Sequence, residues 1–225
     1  SLEKAVQASS KVLSVQGQVI PATGIDVMLW AELETGEKIF GESRIGKSKK
    51  PIARIGCLPE NPSALPTALD AIKEADLIVL GPGSLYTSLL PNLLVPEIVE
   101  ALLKSDAPKI YVSNLMTQPG ETDGLDVYEH IKAIEKQLSN FGVNSRIFNA
   151  ILSQVEFEES SLIDYYRSRG AEPVICDKKK LISEGYYVLQ APLYARRITP
   201  TLRHDSRRLS RALIFLYRKI KKANQ

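Results

Sequence analysis

Cysteine is scarce in this chain. Its 225 residues include two, Cys57 and Cys176. They cannot build a disulfide scaffold and lack the CxxC spacing of zinc or redox sites, so a reducing, cytoplasmic setting is expected. Histidine is as sparse, at His130 and His204, and no HExxH pair, EF-hand loop or cluster of ligand residues occurs. No protein-held metal is therefore expected. The longest unbroken apolar runs, such as Leu77–Leu80 and Leu213–Tyr217, span a few residues, which excludes a membrane-crossing helix or a signal peptide. Repeats and low-complexity linkers are missing as well. With 44% apolar and 24% charged residues, 13 Gly and 13 Pro, the composition excludes the disordered, collagen-like and coiled-coil classes. Met28 and Met116 are the only methionines; with no initiator, the chain is expected to be a processed product or an excised piece.

Charge is unevenly spread. The net charge is +3, yet the stretch from Arg196 to Lys222 holds ten Lys or Arg against one acid, Asp205, and the remainder is acidic. A basic stretch of this kind suits nucleic acid or an anionic membrane surface. Against that, Leu209, Leu213, Leu216 and Ile220 fall at helical spacing, with Arg207, Arg208, Arg211, Arg218, Lys221 and Lys222 mostly on other faces. The expectation is a basic helix within residues 196–225, docked on the body with a solvated cationic side. Aromatic residues do not interleave with the cations as stacking platforms, which counts against RNA. Neither nucleic acid nor membrane is the expected partner, and an interaction module on Arg196–Lys222 that takes anionic lipid or nucleic acid is the last-ranked reading.

Residues Glu3 to Val15 have helical periodicity. Residues 17–58 then carry short segments rich in β-formers, at Gln18–Ile20, Asp26–Leu33, Lys38–Glu42 and Pro51–Leu58, with a hairpin turn at Glu34–Glu37. This region reads as a β-rich insertion. Beyond Pro66, helices and strands alternate. Leu65–Ala75, Val95–Lys104, Leu125–Asn140 and Glu158–Arg169 read as helices; Asp76–Leu80, Lys109–Asn114, Arg146–Leu152 and Pro173–Cys176 read as strands. Apolar strands between helices point to a parallel sheet covered on both faces. The fold class is α/β, one domain over residues 1–225.

Gly41–Ser48 reads GESRIGKS and fits the phosphate-loop pattern GxxxxGKS letter for letter. That loop works where a helix begins at its Lys-Ser end and offers free amides to the phosphates. Here Pro51 follows closely and Pro51–Leu58 has strand character. The match reads as a basic β-turn.

A better candidate follows Asp76–Leu80. Gly81-Pro82-Gly83-Ser84 runs into Leu85-Tyr86-Thr87-Ser88, the strand, glycine turn and helix start of nucleotide sites on open sheets. Glycines let the backbone approach an anion, and Ser84 and Thr87 add hydroxyl donors. Such turns also arise for steric reasons alone. Ser84 lacks the flanking glycines of a nucleophile elbow. The strand Lys109–Asn114 delivers a second polar loop, Asn114–Gly124. Ligands on these sheets sit outside the carboxyl ends of strands, so both loops should face one crevice. Asn114, Thr117, Gln118 and Thr122 suit hydrogen bonds to a sugar or base, and Glu121 could orient a hydroxyl. The alternative is a long turn whose Asn, Thr and Gly residues satisfy their own backbone. His130 falls in the apolar periodicity of its helix, a packing position. In Arg203-His204-Asp205, a cation and an imidazole could meet a diphosphate, or Asp205 could cap the basic helix.

The segments GPGSLYTSLLPNLLVPEI (Gly81–Ile98) and NLMTQPGETDG (Asn114–Gly124) carry a resemblance, supported by VIPAT (Val19–Thr23), GES (Gly41–Ser43) and Leu202–Asp205. The chain closely resembles the YvcK-like proteins, the gluconeogenesis factors of bacteria, which are relatives of the CofD 2-phospho-lactate transferases. This implies a Rossmann-like three-layer fold that binds nucleotide sugars of the UDP-N-acetylglucosamine type, with magnesium able to accompany the diphosphate. It also implies a cytoplasmic regulator of central carbon metabolism, gluconeogenic growth and cell shape. A transferase moving a phosphate-linked group to an acceptor hydroxyl is the other reading, with Asp123, Glu121 or His204 as candidate bases. By position, Gly81, Gly83, Ser84 and Thr87 match the family's second glycine turn. Asn114, Thr117, Gln118, Glu121 and Thr122 match its signature loop. The family's opening GGGTG loop has no counterpart here, so the sheet is expected to be N-terminally truncated. A homo-oligomer is expected, and no regulatory protein partner is identified.

Overall fold

The computed structural model describes Val6 and residues 17–48, 50–158, 160–195 and 201–223. Apart from Val6, the helix expected over Glu3–Val15 lies outside the described residues. Strands β1 (Met28–Leu33) and β2 (Lys38–Phe40) form the expected hairpin, with Trp30 opposite Phe40 and Glu32 opposite Lys38. Its turn closes through the Leu33 N–H on the Glu37 carbonyl at 2.9 Å, with Gly36 at φ +84°, a left-handed conformation that costs glycine little. Strand β3 (Ile52–Leu58) pairs antiparallel with the other edge of β1. The period of two then sorts the residues: Leu29, Ala31 and Leu33 face inward with Cys57, Ile55 and Ile52, while Trp30 and Glu32 face outward with Gly56 and Arg54.

Two expectations fail here. Gln18–Ile20 is not a strand, and β2 ends at Phe40 because Gly41, at φ +91°, turns the chain into a single helical turn, α1 (Glu42–Ile45). Buried Ile45 pins that turn to the core. No helix starts at Lys47-Ser48; the Ser48 hydroxyl accepts from the Lys50 N–H at 3.3 Å, and the chain enters β3. The phosphate-loop letters are present without the helix that would make them work.

Helix α2 (Pro66–Glu74), β4 (Ile78–Leu80), α3 (Pro96–Lys104), β5 (Lys109–Val112), α4 (Val127–Ser139) and β6 (Ala150–Gln154) follow in the expected alternation. Proline opens α2 and α3, where its missing N–H costs nothing. Asp126 and Glu129 cap α4 reciprocally, each side chain accepting the other's N–H at 2.8 Å. Helices α5 (Ser161–Arg167) and α6 (Lys178–Ser183) then lead to β7 (Tyr187–Ala191), and the parallel sheet runs β4-β5-β6-β7. The fourth strand is thus β7 and not Pro173–Cys176. Pro173 has no N–H for a ladder, and its segment makes one isolated bridge to Met116 plus a Val174 N–H bond to Leu115. β6 also starts later than expected, at Ala150, where its pairing with both β5 and β7 begins.

Alternation across the sheet divides the apolar residues into two cores. Tyr111, Ile151 and Val188 pack with Val99, Ile131, Ile134 and Leu138 of α3 and α4. Ile110, Val112, Ala150 and Leu152 pack on the other face with Ile163 of α5 and with Ala212, Leu216 and Ile220 of α7 (Ser206–Ala223). This is the three-layer α/β arrangement. Ala31, Leu33, Ile45 and Ile55 share the first core with Leu85, Leu90 and Leu93, so the β-rich region is fused to the sheet layer.

Candidate functional site

The turn after β4 is pressed against the end of β5. Gly81 holds φ +89°, and a Cβ there would stand 2.5 Å from the Val112 carbonyl oxygen, so both the conformation and the space demand glycine. The Gly81–Pro82 peptide is cis, and Pro82 itself is exposed. Gly83 is then held by Asn114: its N–H donates to Oδ1 at 3.0 Å, and its carbonyl accepts from Nδ2 at 2.9 Å. The Asn114 amide thus stands in for a neighbouring strand's peptide group.

The α-helix start expected after Ser84 is absent. Leu85–Leu89 forms a wide π-helical turn, in which the Ser88 and Leu89 amides both donate to the Ser84 carbonyl, and a 3₁₀ turn at Leu90–Leu94 follows. Amides lined up for a phosphate are therefore not what this segment offers. It offers hydroxyls aimed at a carboxylate. Ser84 Oγ donates to Glu121 Oε2 at 2.7 Å, and Thr87 Oγ1 lies 2.7 Å from Ser84 Oγ and 3.2 Å from Glu121 Oε1. Glu121 is only 6% exposed, so these charge-assisted bonds replace much of its lost hydration. A Cβ at Gly46 would come within 3.7 Å of Glu121 Oε1, which places the GESRIGKS turn against the same carboxylate. Burial pushes the Tyr86 phenol's pKa up, with Glu34 and Glu121 adding to the shift.

The other polar side chains of the signature loop bond backbone groups. Thr117 Oγ1 accepts the Glu172 N–H at 2.9 Å, and Thr122 Oγ1 accepts the Gln118 N–H at 2.8 Å. Asp123 accepts from the Gly120 N–H at 2.6 Å. Thr122 thus satisfies the loop's own backbone, while Asn114 and Thr117 tie the loop to the backbone of Gly83 and Glu172 in other segments. Gln118 differs, for its Oε1 is buried without a hydrogen-bond partner among the described residues.

In the Arg203-His204-Asp205 triplet, Asp205 caps α7: its Oδ1 accepts the Arg207 and Arg208 N–H groups, each at 3.0 Å. His204 bridges to Tyr194 and reaches the end of β5 beside Asn114. Burial lowers the pKa of its imidazole, while a hydrogen bond with the Ser113 backbone works the other way. Arg203 is exposed. His130 is fully buried in α4, with Nδ1 2.7 Å from the Asp126 carbonyl, and burial pushes its pKa down.

Two cavities open beside these segments, one at Thr87 and one at Thr117. A cleft of about 1130 Å³ separates the β-rich module from the π turn and is lined by Ile25, Met28, Glu42, Leu58, Thr87 and Asn92 among others. A smaller one of about 340 Å³ includes Thr117, Asp126, Phe157 and Arg167. No local motif announces either, since each joins segments far apart in sequence. A resident divalent ion finds no cradle here: hydroxyls engage both Glu121 oxygens, and among the described residues no three His, Cys, Asp or Glu converge.

Comparison with known proteins adds a family context. The family model described as 2-phospho-L-lactate transferase CofD matches residues 1–194. A gluconeogenesis factor of Bacillus subtilis (strain 168) is 39% identical over 212 residues, 94% of this chain and 65% of its own length. That of Halalkalibacterium halodurans is 41% identical over 217 residues, covering 94% and 64% respectively. A Nostoc relative is 46% identical over 96% of this chain but 46% of its own length. The chain thus spans about half to two thirds of the curated relatives it matches. The crystal structure of a UPF0052 family member from Bacillus halodurans superposes with a TM-score of 0.85 at 39% identity, covering 94% of this chain and 67% of that one.

Proposed function

Because the chain belongs to the CofD family, in its gluconeogenesis-factor branch, we propose that it binds a nucleotide sugar of the UDP-N-acetylglucosamine type. The site is the junction of the turn after β4 and the loop after β5. The role is that of a cytoplasmic regulator of central carbon metabolism, gluconeogenic growth and cell shape. One observation carries the reading: a buried carboxylate, Glu121, with the Ser84 and Thr87 hydroxyls on its two oxygens. A sugar hydroxyl can replace Thr87 on Oε1, the longer of those contacts, in a like-for-like exchange that leaves no buried group unpaired. Arg203, beside His204 at the same end of the sheet, is the proposed partner of the diphosphate. Magnesium would enter as the diphosphate's counterion.

The hydroxyl-on-carboxylate pair of Ser84 and Glu121 also favours a second reading, a CofD-like transferase in which a base activates an acceptor hydroxyl. The binding role ranks first because Glu121 Oε2 already accepts from Ser84, Thr87 Oγ1 stands 3.2 Å from Oε1, and the Asp123 carboxylate is spent on the Gly120 amide. Calorimetric titration with UDP-N-acetylglucosamine, followed by chromatography of the nucleotide, separates the readings. Saturable heat with intact donor after long incubation is expected. Release of UDP in the presence of an acceptor would move the transferase to the front. No heat from this chain, nor from one extended to the relatives' full length, would overturn nucleotide-sugar binding.

A further inference from the structure

Helix α7 separates its residues by face. Leu209, Ala212, Leu213, Leu216 and Ile220 pack onto the sheet. Arg207, Arg211, Arg218 and Lys222 run in one exposed row along the opposite side, with Lys219 beside them, while Arg208 reaches back to the Pro192 and Tyr194 carbonyls, 3.4 Å from each. The helix carries seven cations and no acid, and none of the seven forms an ion pair with a described residue. Two bulky apolar side chains stand exposed in the middle of the row, Ile214 at 50% and Phe215 at 45%. The helical spacing of the packing leucines points to a docked helix with a solvated cationic side, and it does not show that Ile214 and Phe215 stay exposed on that side.

We propose that this face docks on an anionic lipid bilayer. The helix lies parallel to the surface, its cations among the headgroups and Ile214 and Phe215 in the headgroup–acyl boundary. A straight helix of 18 residues is about 27 Å long, and a cationic row of that length meets a flat anionic plane along its whole extent. Uncompensated cations supply the attraction, and the exposed apolar pair gains from leaving water at the boundary. Nucleic acid is the poorer fit. Ile214 cannot stack on a base, and an exposed apolar pair gains nothing against a phosphate backbone. The proposal is independent of the nucleotide-sugar reading.

Flotation of the full chain with vesicles of phosphatidylcholine containing about 30% phosphatidylglycerol, against pure phosphatidylcholine, is the test. Binding to the anionic vesicles alone is expected at about 0.1 M salt, with release by about 0.5 M. Each cation near an anionic surface contributes roughly fivefold, so Arg211→Glu with Arg218→Glu should weaken binding by about 25-fold or more. Ile214→Ser with Phe215→Ser should weaken binding at every salt concentration. All four positions are exposed, and unchanged circular dichroism melts establish that the variants fold. Three results would overturn the proposal: equal behaviour toward neutral and anionic vesicles, undiminished binding by the charge-reversed variant, or displacement from vesicles by duplex DNA or RNA at equal phosphate concentration.

Discussion

Asn114→Ala asks whether the central polar residue of the signature loop serves the ligand or the fold. The substitution removes both hydrogen bonds to Gly83, at 3.0 and 2.9 Å. It leaves the Gly83 N–H and carbonyl partly buried without protein partners. Each lost bond costs about 1 kcal/mol, and incomplete rehydration of the two backbone groups brings the total to about 2–3 kcal/mol. In a chain of this size that lowers Tm by about 4–12 °C. Asn114→Asp dissects the clamp further. The carboxylate still accepts from the Gly83 N–H but sets negative charge against the Gly83 carbonyl. It should cost as much as alanine at neutral pH despite being nearly isosteric, and recover part of the loss in acid, where a protonated carboxyl can donate. Urea melts followed by circular dichroism give the stability, and calorimetric titration the affinity. An Asn114→Ala protein with unchanged stability and abolished UDP-N-acetylglucosamine binding would place the side chain on the ligand and refute the clamp.

Gly81→Ala should destabilise by about 3 kcal/mol or more, since it forces a side chain into a left-handed conformation and onto the Val112 carbonyl; a urea midpoint unchanged from the parent would contradict the close approach. Gly56→Ala places a methyl 2.3 Å from the ring of Trp30, the only tryptophan in the chain, so the ring must leave and its emission should shift to the red at a cost of about 1–3 kcal/mol. Unchanged emission would mean that the ring does not lie there. Both histidines have imidazole pKa values lowered from 6.5 by burial, so the unfolded chain takes up protons first as pH falls. Their stabilisation is complete above about pH 6.5 and is lost below it, by at most about 1.4 kcal/mol per pH unit for each. Thermal melts across that window should decline, less steeply in His130→Gln, and a flat profile would refute the burial argument.

The parts of the fold legible in the sequence were those with a local cause. A Gly-bearing turn between β-formers located the β1–β2 hairpin, and local apolar periodicity located α2, α3 and α4. β7 escaped because its identity as a strand depends on a distant partner: Tyr187–Ala191 pairs with Ala150–Gln154 across the whole of α5 and α6. Pro173–Cys176 has comparable apolar content, yet the proline denies it a ladder, and its neighbours hold it by an isolated bridge and single backbone bonds to Leu115 and Val127. Local propensity cannot rank two such segments when the decision belongs to a pairing far away in the chain.

The same limit governs the site. Residue types and the strand-end rule were enough to bring the Gly81 turn and the Asn114 loop to one place, because carboxyl ends of adjacent parallel strands must be neighbours. Which groups remain available there was not legible, since a side-chain amide or hydroxyl bonds whatever peptide group comes first. In an α-helical continuation the amides after Ser84 would point out of the turn together, and the site would look like a phosphate cradle. The wide turn at Leu85–Leu89 instead gathers the Ser88 and Leu89 amides onto the Ser84 carbonyl and leaves the Ser84 and Thr87 hydroxyls to Glu121. Leu85, Leu90, Leu93 and Leu94, all buried beneath it, hold that turn through packing. A polar substitution at Leu90 should therefore alter the Glu121 cluster without touching it, and the chemistry offered to a ligand is set by the apolar residues underneath as much as by the polar ones that face it.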